Sequence, residues 1–183
     1  MTTSGRIERD SRTAILHGLF ALIAERGMDA VSFRNVAGRA GVSVGRIQHH
    51  FGSRDALLRA GCRAMCDAAR EAYEATAAAE PGARLVEVVA HPLSSAAERA
   101  PGLRVWYAYV AECTRDPDIA TLLADAKRGQ EDEAARLLAQ LGDDAPRSTA
   151  RELIGLSDGL VIRVLIGDLD ESEAMDLLRT HLP

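Results

Sequence analysis

Residues 32–58 read SFRNVAGRAGVSVGRIQHHFGSRDALL, a run in which small and apolar side chains stand where two short helices would meet at a tight turn. Ser32 and Ser43 each precede a helical pattern and offer a side-chain oxygen to the unpaired N–H groups of a first turn. Ala37, Gly41 and Ile47 stand four and six residues apart, with Val36, Ala40 and Val42 apolar between them. A small side chain at Ala37 lets the second helix approach the first, Gly41 accepts the positive φ of the turn, and Ile47 anchors the second helix. Phe51, one turn after Ile47, completes an apolar inner face and leaves Gly45, Arg46, Gln48 and His49 pointing away. The spacing predicts a helix-turn-helix.

The flanking sequence is helical too. Ile15, Leu16, Leu19, Phe20 and Ile23 recur at helical spacing before Gly27, which predicts a helix from Asp10 to Arg26. Ser53 caps a long helix reaching Ala79, which Pro81 and Gly82 break. Pro101, Asp116-Pro117 and Pro146 read as helix starts, because a proline in the first turn forfeits no hydrogen bond. Gly167 ends the stretch from Arg147, and Asp170 with Glu173 has the pattern of a capping box for a last helix to His181. No period-two alternation, internal repeat or low-complexity linker interrupts this pattern. The composition agrees, being 47% hydrophobic, 4% aromatic and rich in Ala and Leu. The expected fold is therefore all-α, about nine helices, with the helix-turn-helix unit in residues 1–52 and a larger helical bundle in 53–183.

Several classes are excluded on this reading. The longest stretch without a charge, Thr13–Ala24, has twelve residues, against the roughly 20 that span a bilayer, so no membrane partner is expected. Arg6, Arg9 and Arg12 precede that stretch, but Glu8 and Asp10 dilute the basic region and Glu25-Arg26 replaces a small-residue cleavage site, as in a mature helix rather than a signal peptide. Three cysteines, Cys62, Cys66 and Cys113, are an odd number, which favours free thiols and a reducing cytoplasm. The net charge of −5 conceals an asymmetry: residues 1–60 carry nine arginines against five acids, whereas the remainder carries 13 basic and 22 acidic residues. A basic first third suits a polyanionic partner.

The run 32–58, together with the first helix, resembles the DNA-binding unit of TetR-type transcriptional regulators over residues 8–60, down to Phe51, the Ser53-Arg54-Asp55 start of the next helix, and the paired Leu57-Leu58. The resemblance implies a homodimer on a near-palindromic double-stranded operator, with a recognition helix from Ser43 to His50 in the major groove. There Arg46 would bridge O6 and N7 of a guanine, and Val44 would touch a thymine methyl. Gln48, where most relatives carry tyrosine, suits either N6 and N7 of an adenine or a phosphate. Gly45 and His49 share the outward face. Ser32, Arg34, His50 and Arg54 match positions used against the DNA backbone or groove edge.

The segments LRVWYAYVAECTRDPDIATLL, residues 103–123, and LIGLSDGLVIRVLIGDL, residues 153–169, resemble the ligand-binding region of the BetI-type branch. This implies a small-molecule effector, with Met65, Tyr73, His91, Trp106, Tyr109 and Cys113 as candidate pocket residues, and Arg104 and Tyr107 behind them. Trp106, Tyr109 and Cys113 share one helical face, a stripe that also suits an ordinary core. Glu112 would add an acid to the aromatic groups, which suits a cation. The helix of 153–167 is apolar nearly all round, as expected for a helix with its core on one side and a partner subunit on the other. Leu137, Leu141, Leu156, Leu160 and Val164 are the candidate interface residues.

The competing class is a helical enzyme or metal-responsive protein built on Cys62, Cys66 and His91. Against it, the sequence has no nucleophile-base-orienter pattern or phosphate-binding glycine loop, Cys62 and Cys66, four apart on one helix face, suit a buried core more readily than a chelate, and adjacent His49 and His50 diverge by about 100° on a helix. No enzyme activity, cofactor or metal is expected.

Overall fold

A computed structural model describes residues 3–74, 80–93 and 96–183, with side chains for 11–72, 80–93 and 101–183. Among the described residues the chain forms α1 (Thr3–Arg26), a 3-10 turn (Met28–Ala30), α2 (Phe33–Ala40), α3 (Val44–Phe51), α4 (Arg54–Glu74), α5 (Pro81–Ala90), α6 (Ala96–Glu112), α7 (Pro117–Gln140), α8 (Pro146–Leu165) and α9 (Glu171–Arg179), with no strand. The all-α expectation holds.

The capping chemistry falls where the serines and prolines place it. Ser32 accepts from the Asn35 N–H at 3.2 Å, Ser43 from Arg46 at 3.2 Å, and Ser53 from Ala56 at 3.1 Å. Asp170 accepts from the Glu173 N–H at 2.8 Å, and Pro117 and Pro146 open α7 and α8. Each side-chain cap contributes about 1 kcal/mol.

Two boundaries differ from expectation. α1 begins at Thr3 rather than Asp10, because Arg6, Glu8 and Arg9 are good helix formers and no proline stands before Asp10. Pro101 lies inside α6 rather than at its start. Residues 96–100 supply the turn before it, and only one intrahelical N–H is forfeited. The expected extension of α4 to Ala79 falls on residues 75–79, outside the described residues.

The chain packs as two compact units, Met1–Cys66 with Pro101–Leu123, and Asp67–Ala100 with Ala124–Pro183. The turn signals at 52/53 mark the end of the helix-turn-helix and not the edge of a packing unit. In the first unit one apolar core joins Ile15, Leu19 and Ile23 of α1, Val36 of α2, Ile47 and Phe51 of α3, Leu57, Leu58 and Cys62 of α4, Val105 and Tyr109 of α6, and Ile119 and Leu123 of α7. Tyr109 is wholly buried, and its hydroxyl donates to the Leu58 carbonyl at 3.0 Å. Gly61 permits that approach: a Cβ there would meet the Tyr109 hydroxyl at 2.4 Å and Leu19 Cδ2 at 2.6 Å. Burial, before any charge effect, pushes the Tyr109 phenol well above its ordinary range, which keeps it a donor at all physiological pH.

A second tie lies nearby in the same unit. Arg59 Nε donates to Asp116 Oδ2 at 2.8 Å, and Nη1 lies 2.8 Å from Asp118 Oδ2. Asp116 also caps α7, its Oδ1 accepting from the N–H groups of Asp118 at 3.0 Å and Ile119 at 3.4 Å. The hydrogen bond from Arg59 is the main cause holding the Asp116 carboxyl below its usual range.

In the second unit α8 contacts α9, and α5 contacts both. Leu85, Val88, Leu137, Leu138, Leu153, Ile154, Leu160, Val161 and Leu178 are buried. α7 is tied in by polar groups: Gln130 Nε2 donates to the Val88 carbonyl at 2.9 Å, and Lys127 Nζ donates to Asp158 Oδ1 at 2.6 Å and to Gln130 Oε1 at 3.2 Å.

The close packing at Gly61 gives a test. Gly61→Ala should destabilise the chain by about 1–3 kcal/mol through overpacking, and Tyr109→Phe by about 1 kcal/mol through loss of the hydroxyl's bond. Urea unfolding of both single variants and the double should show a combined cost below the sum, because removing the hydroxyl clears one of the two clashes. Strict additivity would contradict the contact.

Candidate functional site

The outward face of α3 follows from its inward one. Ile47 is wholly buried and Phe51 nearly so, and a helix that buries those two positions must present Val44, Gly45, Arg46, Gln48 and His49 to solvent. All five are exposed. Gly41 makes the turn before α3 at φ 67°, and its N–H donates to the Ala37 carbonyl. Val44 is 43% exposed, unusual for a branched apolar side chain with no structural task there. A Cβ on Gly45 would touch nothing within 4 Å, so bare backbone lies open at the start of the helix.

The charges on this face are divided in use. Arg39 pairs with Glu25. Among the described residues the guanidinium groups of Arg34 and Arg46 make no ion pair and no hydrogen bond. His50 is half-buried, its ring edge-on to His49 with centroids 5.8 Å apart and 6.0 Å from that of Phe51. The guanidinium of Arg12 on α1 lies 5.5 Å from the centroid of the Phe51 ring, a cation–π contact that fixes the end of α3. The hydroxyls of Ser32 and Ser43 are engaged as caps, so these residues set the directions of α2 and α3. Arg54 is engaged as well, donating to the carbonyls of Val31 and Met28. The surface that results is two exposed arginines, a glutamine and an imidazole on two short, capped helices, with the chemistry of an anion-binding, hydrogen-bonding face.

The candidate pocket residues divide between the units. Met65, Trp106 and Cys113 are half-buried against the core of the first unit, and Tyr109 is inside it. His91 follows α5 in the second unit. The Tyr73 side chain lies outside the described residues. Tyr107 is half-buried and Arg104 exposed. Glu112 is paired with Arg115, in the turn that follows α6, at 3.6 Å, so its charge is partly answered locally. Cys62 is buried, and its hydrogen bond to Cys66, then burial, push its thiol far above the ordinary range, which disfavours the nucleophilic thiolate. Cys66 lies 3.9 Å from the Leu122 carbonyl. Among the described residues no three His, Cys, Asp or Glu side chains group to hold a metal ion.

The candidate interface residues also divide. Leu137 and Leu160 are turned into the core of their own unit, Leu156 and Val164 are half-buried, and Leu141 is 42% exposed. The large apolar residues exposed near the end of α8 are Ile162, Leu165 and the C-cap Ile166, with Ile162 and Ile166 in line with the exposed Gly155 and Gly159. Sequence reasoning missed this rotation because a helix apolar nearly all round carries no phase; Gly155 and Gly159, four apart, were the available signal. It also missed Arg59, whose acids lie 57 and 59 positions away in the chain. No short-range pattern reports such a pair.

Comparison with known proteins agrees with this geometry. Residues 15–60 match the family described as bacterial regulatory proteins, tetR family, and residues 81–183 match the C-terminal region of BetI-type transcriptional repressors. The chain is similar to the HTH-type transcriptional regulator BetI of Burkholderia mallei (strain NCTC 10229), 31% identical over 180 residues that cover 93% of this chain and 91% of that protein. It resembles a transcriptional regulator from Saccharomonospora viridis solved in complex with choline, with TM-score 0.83, 27% identity and coverage of 94% and 95% of the two chains. A TetR-family regulator from Rhodococcus sp. shares the fold, with TM-score 0.81, 24% identity and coverage of 94% and 96%. With its helix-turn-helix, its capped and outward-facing third helix, and these relatives, the chain belongs to the tetR family of bacterial regulatory proteins, in the BetI-type branch, and is a ligand-responsive transcriptional regulator.

Proposed function

We propose that the protein is a cytoplasmic homodimeric repressor that lays two copies of α3 into successive major-groove faces of a near-palindromic operator. The observation that carries this reading is the outward face of α3, where Arg46 stands exposed and uncommitted beside Gln48 and Val44. Arg46 bridges O6 and N7 of a guanine, Val44 meets a thymine methyl, and Gln48 bonds an adenine or a phosphate. Arg34, His49 and His50 answer phosphates, while Ser32 and Ser43 fix the helices that carry them. On this reading residues 1–52 serve DNA binding, and 53–183 serve effector binding and dimerisation.

The partner subunit packs on α8. Ile162 is 46% exposed and Ile166 72%, and with Gly155 and Gly159 in the same line they offer a partner helix a ridge beside a shallow notch. The effector is a small organic cation. The choline held by the Saccharomonospora viridis regulator supports this class, and the half-buried Trp106 and Tyr107 on α6 have the rings such a cation favours. Effector binding shifts the population toward an arrangement whose recognition helices no longer match the roughly 34–36 Å between half-sites one turn apart.

Three measurements test these parts separately. Arg46→Ala and Gln48→Ala, assayed on a duplex enriched by the wild type from a random pool, should each weaken specific binding by roughly 5- to 150-fold if each makes a bidentate base contact, with unchanged circular dichroism. If neither variant changes affinity, this readout is wrong. Ile162→Glu should shift the sedimenting species from dimer to monomer, and a dimer that persists would place the interface elsewhere. Choline titrated into the protein–operator complex should release DNA, whereas binding of choline without release would refute its role as effector.

A further inference from the structure

Arg54 opens α4, where a cation faces the positive end of the helix and gains nothing from it. Its neighbours account for its place. The Nε donates to the Val31 carbonyl at 2.9 Å and Nη2 donates to the Met28 carbonyl at 3.1 Å. These carbonyls flank the end of the 3-10 turn between α1 and α2, and the Val31 N–H also donates to Met28 at 3.1 Å. In the same turn the Ala30 carbonyl accepts from Asn35 Nδ2 at 2.8 Å. Ser32 then caps α2 by accepting from the Asn35 N–H. Residues 28–31 are thus held from α2 by Asn35 and from α4 by the fork of Arg54. The Arg54 side chain is 40% exposed, and Nη1 lies 3.9 Å from Asp55 Oδ1. The edge formed by Nε and Nη2 is spent inside the fold, and the remaining Nη1 lies beside a carboxylate.

We infer that Arg54 is a positioning residue of the DNA-binding surface and not one of its phosphate contacts: it locks the 28–31 turn, and through it Ser32 and Arg34 at the start of α2. The inference rests on the DNA-binding reading above. A planar guanidinium can span two carbonyls with parallel N–H groups, whereas a lysine ammonium presents one compact charge and cannot reproduce the fork. The two roles therefore respond differently to the same conservative substitution.

The test uses full-length Arg54→Lys and Arg54→Met. In hydrogen exchange without DNA, both variants should exchange the amides of residues 31–36 about tenfold faster or more, the scale of one lost charge-assisted hydrogen bond. On a duplex enriched by the wild type, both should bind about tenfold more weakly for the same reason, with the dependence of log affinity on log salt unchanged. If Arg54 instead met a phosphate, Arg54→Met would reduce that slope by about 0.9 for each protomer on the operator, about 1.8 for the dimer, and Arg54→Lys would keep near wild-type affinity; this result overturns the inference. Unchanged exchange at 31–36 in both variants overturns it without any DNA. Should the wild type enrich no duplex, the DNA-binding reading fails, and the exchange result alone still decides whether Arg54 locks the turn.

Discussion

The hydroxyl of Tyr109 donating to the Leu58 carbonyl across the bare backbone of Gly61 is the contact on which the first unit turns. It brings α6 against α4 at a distance that no side chain at position 61 would allow. Around it the apolar groups of α1, α2, α3, α4, α6 and the first turns of α7 close into one core. A three-helix DNA-binding unit of about fifty residues is small to bury an adequate core alone. Here it gains one by recruiting sequence from beyond residue 100. The Arg59 fork to Asp116 and Asp118 fastens the α6–α7 corner to α4 at the edge of the same core.

The DNA-facing surface depends on that core indirectly. Because Ile47 and Phe51 are buried, the rotation of α3 about its axis is fixed, and the same constraint sets which residues face outward. The caps at Ser32 and Ser43 fix where the helices begin, and the cation–π contact of Arg12 with Phe51 holds the end of α3. Burial and backbone hydrogen bonds thus position groups that themselves make few contacts in the protein. Arg34 and Arg46 contribute little to the fold, as expected of side chains whose partner is another molecule.

Most of the local architecture was legible in the sequence because it is written in short-range chemistry. The serine caps, the Gly41 turn, the prolines at 117 and 146 and the Asp170 cap act within four residues, and periodicity reports the buried face of α3. What was not legible depends on distant partners or on phase. Pro101 was indistinguishable from a helix-opening proline until the turn before it was known. Tyr109 sat in a stripe that suited a pocket wall or a core, and its bond to Leu58, 51 residues away, places it in the core. The outward side of α8 could not be read from a helix apolar on every side. Arg54 has the chemistry of a phosphate ligand, and only the carbonyls of Met28 and Val31 reveal its other use.

Whether the helix-turn-helix and α6 share one core and open as one is decided by native-state hydrogen exchange on the full-length protein. The slowest amides of Ile15–Ile23, Leu57–Cys62 and Val105–Tyr109 should converge on one opening free energy with one denaturant dependence, as expected of a single cooperative unit. If the α6 amides opened at markedly lower free energy while those of α1 and α4 stayed protected, the helix-turn-helix would be stable without α6, and the shared core would not be what holds the DNA-binding surface in place.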